Sequence, residues 1–179
     1  METTKQHTDT QLDQTEVQGH LVVASGLDAD PTLRNHIEQT LSNSHHTYDQ
    51  IQGAPTPVQI AELAQESGAH GIIYLVGDVS DRRSAYRLVA YLRRIGWHLP
   101  VMLTGPAVDP EYANILALPQ HGQLYRGGIY YCEDAFEITQ VLKQIILYTP
   151  PPQEHDHGDE DPFSCSSCSS CGDACPINN

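Results

Sequence analysis

Short apolar runs alternate with helical stripes of apolar side chains along most of the chain. The run from Gly71 to Val76 is uninterrupted, which is typical of a central parallel strand buried on both faces. A weaker run at residues 46–51 predicts a strand at the edge of the sheet. In all, five strands are predicted, at residues 20–24, 46–51, 71–76, 100–104 and 128–132.

Helix signals follow each predicted strand. Asp30-Pro31 and Asp109-Pro110 each place an N-cap aspartate before a proline that suits the first helical position. The spacing of a capping box occurs at residues 56–59 and again at residues 134–137. Another helix is predicted over residues 82–95, from apolar side chains at helical spacing: Ala85, Leu88, Val89, Leu92 and Ile95.

Five strand–helix units within residues 20–149 predict an α/β fold. Parallel strands need crossover connections, and helical crossovers cover both faces of the sheet. The expected fold class is a flavodoxin-like, doubly wound, five-stranded parallel sheet with strand order 2-1-3-4-5. Ligands of such folds bind at the carboxyl ends of the strands, here near residues 24–30, 77–81 and 104–107.

The charge balance bears on partners and location. Nine Lys and Arg residues stand against 23 Asp and Glu residues, for a formal net charge of −14. Phosphate backbones and anionic membrane surfaces would repel such a chain, so neither nucleic acid nor membrane is an expected partner. No apolar run approaches the ~20 residues that span a bilayer, and no secretory signal precedes the first strand. A cytoplasmic protein is therefore expected.

Two segments outside the predicted core differ from it in composition. Residues 1–19 are polar and cannot offset their ordering entropy, so they are predicted to be disordered. Residues 150–179 begin with three prolines, carry six acidic residues and no Lys or Arg, and end in a cysteine cluster. The expected organisation is a disordered start at 1–19, a folded domain at 20–149 and an acidic metal-binding or redox tail at 150–179.

Receiver domains of response regulators have this architecture. Their phosphorylation needs an acidic pair after strand 1 to hold Mg²⁺, an Asp ending strand 3, a hydroxyl ending strand 4 and a Lys ending strand 5. Here strand 1 ends at Ser25, Asp78 lies two positions beyond strand 3, and Cys132-Glu133 stands in place of the Lys. Only Thr104 matches the residues that receiver phosphorylation needs. Under this hypothesis the chain is therefore a degenerate receiver.

Cobalamin-binding domains of the same shape use an Asp-x-His-x-x-Gly loop after strand 1, whose His ligates cobalt. Here residues 28–30 are followed by Pro31, and neither His nor Gly falls in register. Asp28 and Asp30 could offer carboxylates to a hard cation, although Asp30 also suits a helix cap. Neither a Gly-x-Gly-x-x-Gly sequence nor a P-loop occurs, so no nucleotide motif supports a site within the domain.

The second half of the domain carries a more distinctive pattern. The stretch LPVMLTG at residues 99–105 precedes a short helix, and GGIYYCED at residues 127–134 opens the last helix, which leads to YTPPP at residues 148–152. Over roughly residues 20–152 the chain resembles the N-terminal wing domain of the pyridoxal-phosphate-dependent ornithine/lysine/arginine decarboxylases. There a Glu-Asp pair, here Glu133-Asp134, opens the helix that leads to a Pro-Pro exit.

This resemblance implies self-association and regulation of assembly. In that family a catalytic domain with a Schiff-base lysine follows the prolines, whereas residues 153–179 contain no Lys. Lys5 and Lys143 are the only lysines, and neither is placed to hold pyridoxal phosphate. The chain therefore resembles a free-standing wing domain with a new tail, for which neither pyridoxal phosphate nor enzyme activity is expected.

Basic side chains concentrate on the predicted third helix. Four of them, called the arginine cluster below, are candidate contacts for an anion or a partner: Arg82, Arg83, Arg87 and Arg94. The wing-domain resemblance implies a regulatory nucleotide site between subunits, so a phosphorylated nucleotide is one effector to consider. The alternative is a solvated helix face that balances Asp78 and Asp81.

Isolated histidines and one cysteine carry weaker signals. His45, His46 and His70 show no metal-ligand spacing with one another and are expected on the surface. Cys132 ends a predicted strand and is expected to behave as a small core hydrophobe.

The tail ends in the spacing C-x₂-C-x₂-C-x₃-C-P, which is that of bacterial [4Fe–4S] ferredoxins. The candidate metal ligands are Cys165, Cys168, Cys171 and Cys175. Zinc is the alternative, held by four thiolates or by three with His155 or His157, and a thiol tail without metal is the third.

These patterns together predict a non-catalytic regulatory or oligomerisation module with an iron–sulfur or zinc tail. A protein partner or self-association is expected. Two alternatives stay open: a small electron-transfer or redox-sensing iron–sulfur protein, and a degenerate response-regulator receiver.

Overall fold

The computed structural model describes residues 18–27 and 29–148. Its sheet confirms the predicted flavodoxin-like class: five parallel strands lie in the order β2-β1-β3-β4-β5. The strands are β1 (His20–Ser25), β2 (Thr47–Ile51), β3 (Gly71–Leu75), β4 (Val101–Thr104) and β5 (Ile129–Tyr131). β2 forms one edge of the sheet, as its weaker apolar pattern predicted, and β3 is buried at every position.

Five helices connect or follow these strands. They are α1 (Pro31–Asn43), α2 (Pro57–Glu66), α3 (Val79–Arg94), α4 (Pro110–Ala117) and α5 (Ala135–Tyr148). The predicted caps are confirmed at Asp30 and Asp109, whose side chains accept backbone N–H bonds, and Thr56 forms a full capping box with Gln59. No helix of the described residues is both long and apolar enough to cross a bilayer.

One helix start and the bonds of one predicted capping box differ from the prediction. α3 begins at Val79, three residues before the predicted Arg82, because Asp78 acts as its N-cap and accepts the backbone N–H of Asp81 at 2.9 Å. At the start of α5, the N-cap residue Asp134 accepts the N–H of Glu137, as in a capping box. The Glu137 side chain, however, accepts the N–H of Glu133 at 2.7 Å, one residue before the N-cap. Both differences arise because a polar side chain can reach backbone donors at neighbouring positions.

The sheet separates two apolar cores. Residues such as Val22, Tyr74 and Leu103 face α2, α3 and α4, whereas their strand neighbours Val23 and Ile73 face α1 and α5. This alternation follows from the two-residue period of a strand and leaves the central strands buried on both faces. The helices thus cover both faces, and the strand ends remain as the positions where a site can form.

Two predictions about isolated side chains have opposite outcomes. Cys132 is fully buried in the core, as expected. The expectation of a surface position is wrong for His46, which is 5% exposed and accepts the backbone N–H of Gly19. His45 and His70 are exposed.

Several predictions fall on parts of the chain outside the described residues. These are the disorder predicted for residues 1–19, of which 1–17 are not described, a role for Asp28 in cation binding, and the metal-binding or redox tail with Cys165, Cys168, Cys171 and Cys175. They stay predictions.

Candidate functional site

The carboxyl edge of the sheet places four side chains in one row. Ser25 of β1 pairs with Leu75 of β3, and Leu75 pairs with Thr104 of β4. The backbone N–H of Cys132, just after β5, donates to the carbonyl of Leu103 at 2.9 Å and extends the row to the fifth strand. Sequence analysis identified this edge, and the register decides which residues share it.

Two hydroxyl groups in this row are buried without a partner among the described residues. Ser25 is 1% exposed and Thr104 is fully buried, and neither hydroxyl oxygen has a hydrogen-bond partner. An unsatisfied buried polar group costs ~1–3 kcal/mol, so such groups mark a candidate site. Leu75 lies between the two and is apolar, so the row contains no carboxylate.

Asp81 closes the crevice between β1 and β3, which is the switch point where ligands of doubly wound folds bind. Its side chain is 2% exposed, and Oδ2 accepts the backbone N–H of Gly77 at 2.9 Å. A Cβ added to Gly26 would overlap the Asp81 carboxylate, so the backbone just after β1 approaches that group closely. The chain's own carboxylate therefore occupies the space that a ligand would take.

Asp78 has a structural role at this edge. Its Oδ1 accepts the N–H of Asp81 at 2.9 Å and the hydroxyl of Ser80 at 2.8 Å. The backbone bond from Asp81, and then the Ser80 hydroxyl, lower the pKa of the Asp78 carboxyl below its usual value. The Asp78 carboxylate is thus held as a helix cap. It lies beyond the end of β3, in agreement with its sequence position two residues after the predicted strand.

Cys132 offers no reactive thiol to the row. Burial, and then the negative charges of Glu137 and Asp134, raise its pKa to about 12. The thiol is therefore protonated at neutral pH, and a protonated thiol is neither a good nucleophile nor a metal ligand. Among the described residues, no group of three or more His, Cys, Asp or Glu side chains could hold a metal ion.

Two members of the arginine cluster contact other described residues. Arg82 donates to the carbonyl of Ala107, pairs with Asp109 at 3.1 Å, and lies 5.0 Å from the ring centre of Tyr112. Arg94 lies 5.1 Å from the ring centre of Tyr91. The carboxylate that pairs with Arg82 is Asp109, whereas the interpretation as a solvated helix face named Asp78 and Asp81.

Arg83 and Arg87 are exposed on α3 and have no hydrogen bond or ion pair with another described residue. They line a shallow, almost wholly apolar groove of about 350 Å³ between α3 and α4, called the α3–α4 groove below. The remaining lining residues are Val79, Arg82, Tyr86, Tyr112, Ile115 and Leu116. Sequence reasoning found the arginines but not the groove, because α4 supplies its second wall.

A second cavity lies at the opposite, amino-terminal edge of the sheet. Its volume is about 430 Å³, and its lining includes His70, His98 and Tyr130. The His70 ring is already engaged, since its Nδ1 accepts the backbone N–H of His20 at 3.1 Å. Nδ1 of His70 is therefore not available to a ligand in this cavity.

Comparison with known proteins identifies the fold and no family. No family model and no curated protein matches the chain. Among solved structures, a cobalamin-binding protein from Desulfitobacterium hafniense is 12% identical, with a TM-score of 0.60 over 71% of this chain and 58% of that chain. The methanol:cobalamin methyltransferase complex of Methanosarcina barkeri is 16% identical, with a TM-score of 0.63 over 73% of this chain and 47% of that chain.

A candidate response regulator from Chloroflexus aurantiacus has the same fold. It is 15% identical, with a TM-score of 0.52 over 73% of this chain and 99% of that chain. The chain spans about half the length of the two cobalamin proteins, whereas it spans nearly all of this one. At such low identity the likeness shows a shared fold, which by itself does not define a function.

Proposed function

We propose that this chain contains a receiver-like domain that acts through protein contacts and is not phosphorylated. The observation that carries this proposal is the row at the carboxyl edge, which reads Ser25, Leu75, Thr104 and Cys132 across four strands. The hydroxyl on β4 matches a receiver. The residue ending β3 is apolar, and Cys132-Glu133 rather than a lysine stand directly after β5.

Among the residues that the structure describes, those at this edge do not fit the Mg²⁺ that receiver phosphorylation uses. Hard cations take carboxylate and carbonyl oxygens, often from several side chains. Here β1 ends at Ser25, and the carboxylate of Asp81 packs directly against the following Gly26 and accepts the N–H of Gly77. An acyl phosphate would also lack a carboxylate at the Leu75 position on which to form.

The fit to cobalamin is equally poor. Residues 26–30 connect β1 to α1 and contain no histidine that could ligate cobalt from this loop. The side chain of Asp81 fills the crevice above this connection, so a planar cofactor placed there would overlap with that side chain. The likeness to the cobalamin-binding structures is therefore one of fold.

The test is chemical phosphorylation of the full chain. Acetyl phosphate with Mg²⁺ is added under conditions that label an active receiver domain run in parallel, and intact mass is recorded. We expect no gain of a phosphoryl group and no change in the unfolding temperature with beryllofluoride and Mg²⁺. A phosphoryl adduct that is lost in Asp78→Asn or Asp81→Asn would overturn the proposal.

The narrower wing-domain hypothesis rests on the sequence patterns at residues 99–105 and 127–152. Receiver and wing domains share the observed topology, and the comparison structures favour the receiver-like hypothesis. Under the wing-domain hypothesis the protein self-associates through the same domain. Sedimentation at several concentrations separates the two, because only the wing-domain hypothesis requires a homo-oligomer.

We also propose a second function, redox or metal chemistry of the tail. It rests on the ferredoxin-like spacing of Cys165, Cys168, Cys171 and Cys175. Anaerobic purification followed by iron, sulfide and zinc analysis tests it, with Cys168→Ser as the variant that should lose the metal. A metal-free anaerobic preparation would remove this second function and leave the receiver-like proposal untouched.

A further inference from the structure

We propose that the α3–α4 groove docks an acidic, amphipathic helix of a partner protein. The inference rests on the proposed function, since it names the surface and the partner chemistry through which a receiver-like domain could act without phosphorylation. It is carried by three observations: exposed apolar side chains, helices that are tied together at both ends, and two exposed arginines at the rim.

The first observation is the apolar surface of the groove. Val79 is 68% exposed, Ile115 51% and Tyr86 44%, although each has a large apolar side chain. All three line the same groove, whereas the other exposed apolar side chains, such as Phe136 and Leu27, lie elsewhere. Single exposed apolar side chains are ordinary, but a contiguous set around a concave surface indicates a contact site.

The second observation is that the two walls of the groove are held in place. At the start of α4, Arg82 donates to the carbonyl of Ala107 and pairs with Asp109, the N-cap of that helix. At its end, Nη2 of the buried Arg93 donates to the carbonyls of Leu116 and Leu118 at 3.0 and 3.2 Å. A groove whose shape exists before binding loses less entropy when a partner docks.

The third observation is charge. Arg83 and Arg87 lie one helical turn apart on α3, are exposed, and pair with no other described residue. The chain as a whole has a net charge of −14, so these two exposed arginines give the apolar groove a local charge opposite to that of the chain. Charges beyond ~8 Å are largely screened at physiological ionic strength, so these local arginines determine which partner charge is favourable.

The shape of the groove favours a helix as its occupant. Two helices form its walls, and a helical ligand can place apolar anchors at positions i, i+3 or i+4, and i+7 along such a channel. Acidic residues flanking those anchors would then face Arg83 and Arg87. A carboxylate can accept a bidentate bond from each guanidinium, which sets the register of the docked helix.

A second copy of this chain fits the same surface poorly. A two-fold interface is self-complementary, so groove against groove would bring the arginines of one copy close to those of the other. Like charges in contact disfavour that arrangement. A free phosphorylated nucleotide is also less suitable, because Arg82 and Arg94 are engaged and the groove between the remaining arginines is apolar.

The probe is a phage-displayed library of random 16-residue peptides, selected on the immobilised full-length protein. We expect selected peptides to carry Leu, Ile, Phe or Trp at helical spacing, with Asp or Glu flanking them. Synthetic versions are then titrated by fluorescence anisotropy against wild type and two groove variants, Ile115→Asp and the double variant Arg83→Glu, Arg87→Glu. Each variant should weaken binding by about tenfold or more.

Matched controls keep this test specific. Arg126→Glu reverses an exposed arginine outside the groove, and Phe136→Asp changes an exposed apolar side chain on α5. Both should bind within about twofold of wild type, because neither touches the groove. Thermal unfolding of each variant checks that the fold is intact, which is expected because the substituted side chains are exposed.

Four outcomes would overturn the inference. They are selected peptides without acidic enrichment, peptides that bind groove variants as tightly as wild type, no selected peptide at all, and a homodimer that Ile115→Asp abolishes. The last would assign the groove to a second copy. A phosphoryl adduct formed alongside groove-dependent peptide binding would instead overturn the proposed function and leave the docking surface in place.

Discussion

The backbone N–H of Gly19 donates to Nδ1 of His46 at 3.1 Å, so the residue before β1 is bonded to the residue before β2. A neighbouring bond has the same form, from the N–H of His20 to Nδ1 of His70. To accept its backbone bond, Nδ1 of His46 must carry no proton. The entry of the chain into β1 therefore depends in part on the protonation state of His46.

This arrangement predicts a loss of stability in mild acid. Burial, followed by the charges of Lys143 and His45, lowers the pKa of His46 below its ordinary value of 6.5. In the unfolded chain His46 takes up a proton as pH falls through its ordinary value, whereas the folded form resists protonation. The unfolded state then binds more protons, so the free energy of unfolding decreases from about pH 6.5 downwards, until the lowered pKa of the folded state is reached.

Urea unfolding at about pH 7.5 and about pH 5.5 measures this effect, above the range in which most carboxyl groups titrate. His46→Asn keeps an acceptor near the position of Nδ1 and should reduce the difference between the two conditions. His36→Asn changes an exposed histidine of α1 and should not. Equal pH dependence in wild type and His46→Asn would contradict the assignment.

The contact between Gly26 and Asp81 predicts strong coupling between two substitutions. Gly26→Ala places a methyl group in the space of the Asp81 carboxylate and should destabilise the protein. Asp81→Ala alone removes the acceptor of the Gly77 N–H and should cost ~2–4 kcal/mol. In the double variant the methyl group added at position 26 occupies the space that the Asp81 carboxylate has left. The combined loss of unfolding free energy should therefore be smaller than the sum of the two single losses by ~0.5–3 kcal/mol.

A double-mutant cycle by chemical denaturation measures that coupling. Glu62→Gln, at an exposed position of α2, serves as the control and should be additive with Gly26→Ala. Additive losses for Gly26→Ala and Asp81→Ala would show that the carboxylate does not occupy the crevice in solution.

Arg93 should contribute more to stability than its neighbour Arg94. The buried Arg93 bonds two carbonyls at the end of α4, whereas the exposed Arg94 makes only a ring contact with Tyr91 among the described residues. Arg93→Ala should cost ~1–3 kcal/mol, and Arg94→Ala less than ~1 kcal/mol. Denaturation midpoints compare the two, and a reversed order would contradict the proposed anchoring of α4.

Cys132 should resist alkylation in the native protein. Burial raises the pKa of its thiol to about 12, and the side chain is inaccessible. Native protein is treated with iodoacetamide at about pH 8, and the peptide containing residue 132 is quantified by mass spectrometry. We expect modification only after unfolding in urea, and rapid labelling of the native protein would show that β5 opens readily.

Local signals predicted much of the architecture. Asp30, Thr56 and Asp109 start helices because their side chains bond donors two or three residues away, an interaction contained within a few residues. The uninterrupted run at residues 71–76 likewise indicated the buried strand β3. The start of α3 was placed too late because Val79 and Ser80 lie outside its apolar stripe, while the N-cap of Asp78 was not used as a helix signal.

Local sequence signals predicted only part of the candidate site. The arginine cluster is visible as a run of basic residues, but the contacts of Arg82 depend on α4, which begins 16 residues after α3 ends. The burial of His46 depends on Gly19, 27 residues away. Such contacts form only when distant segments of the chain pack together, so the local spacing of apolar residues does not predict them.

The sequence by itself determined the order of strands and helices, the caps of several helices and the acidic charge of the chain, because these follow from interactions between near neighbours and from composition. The tertiary structure decided that Leu75 lies between two buried hydroxyls, that Asp81 fills the ligand crevice, and that α4 completes a groove beside Arg83 and Arg87. Register across the sheet and the packing of one helix on another place these groups together, and both depend on residues far apart in the chain.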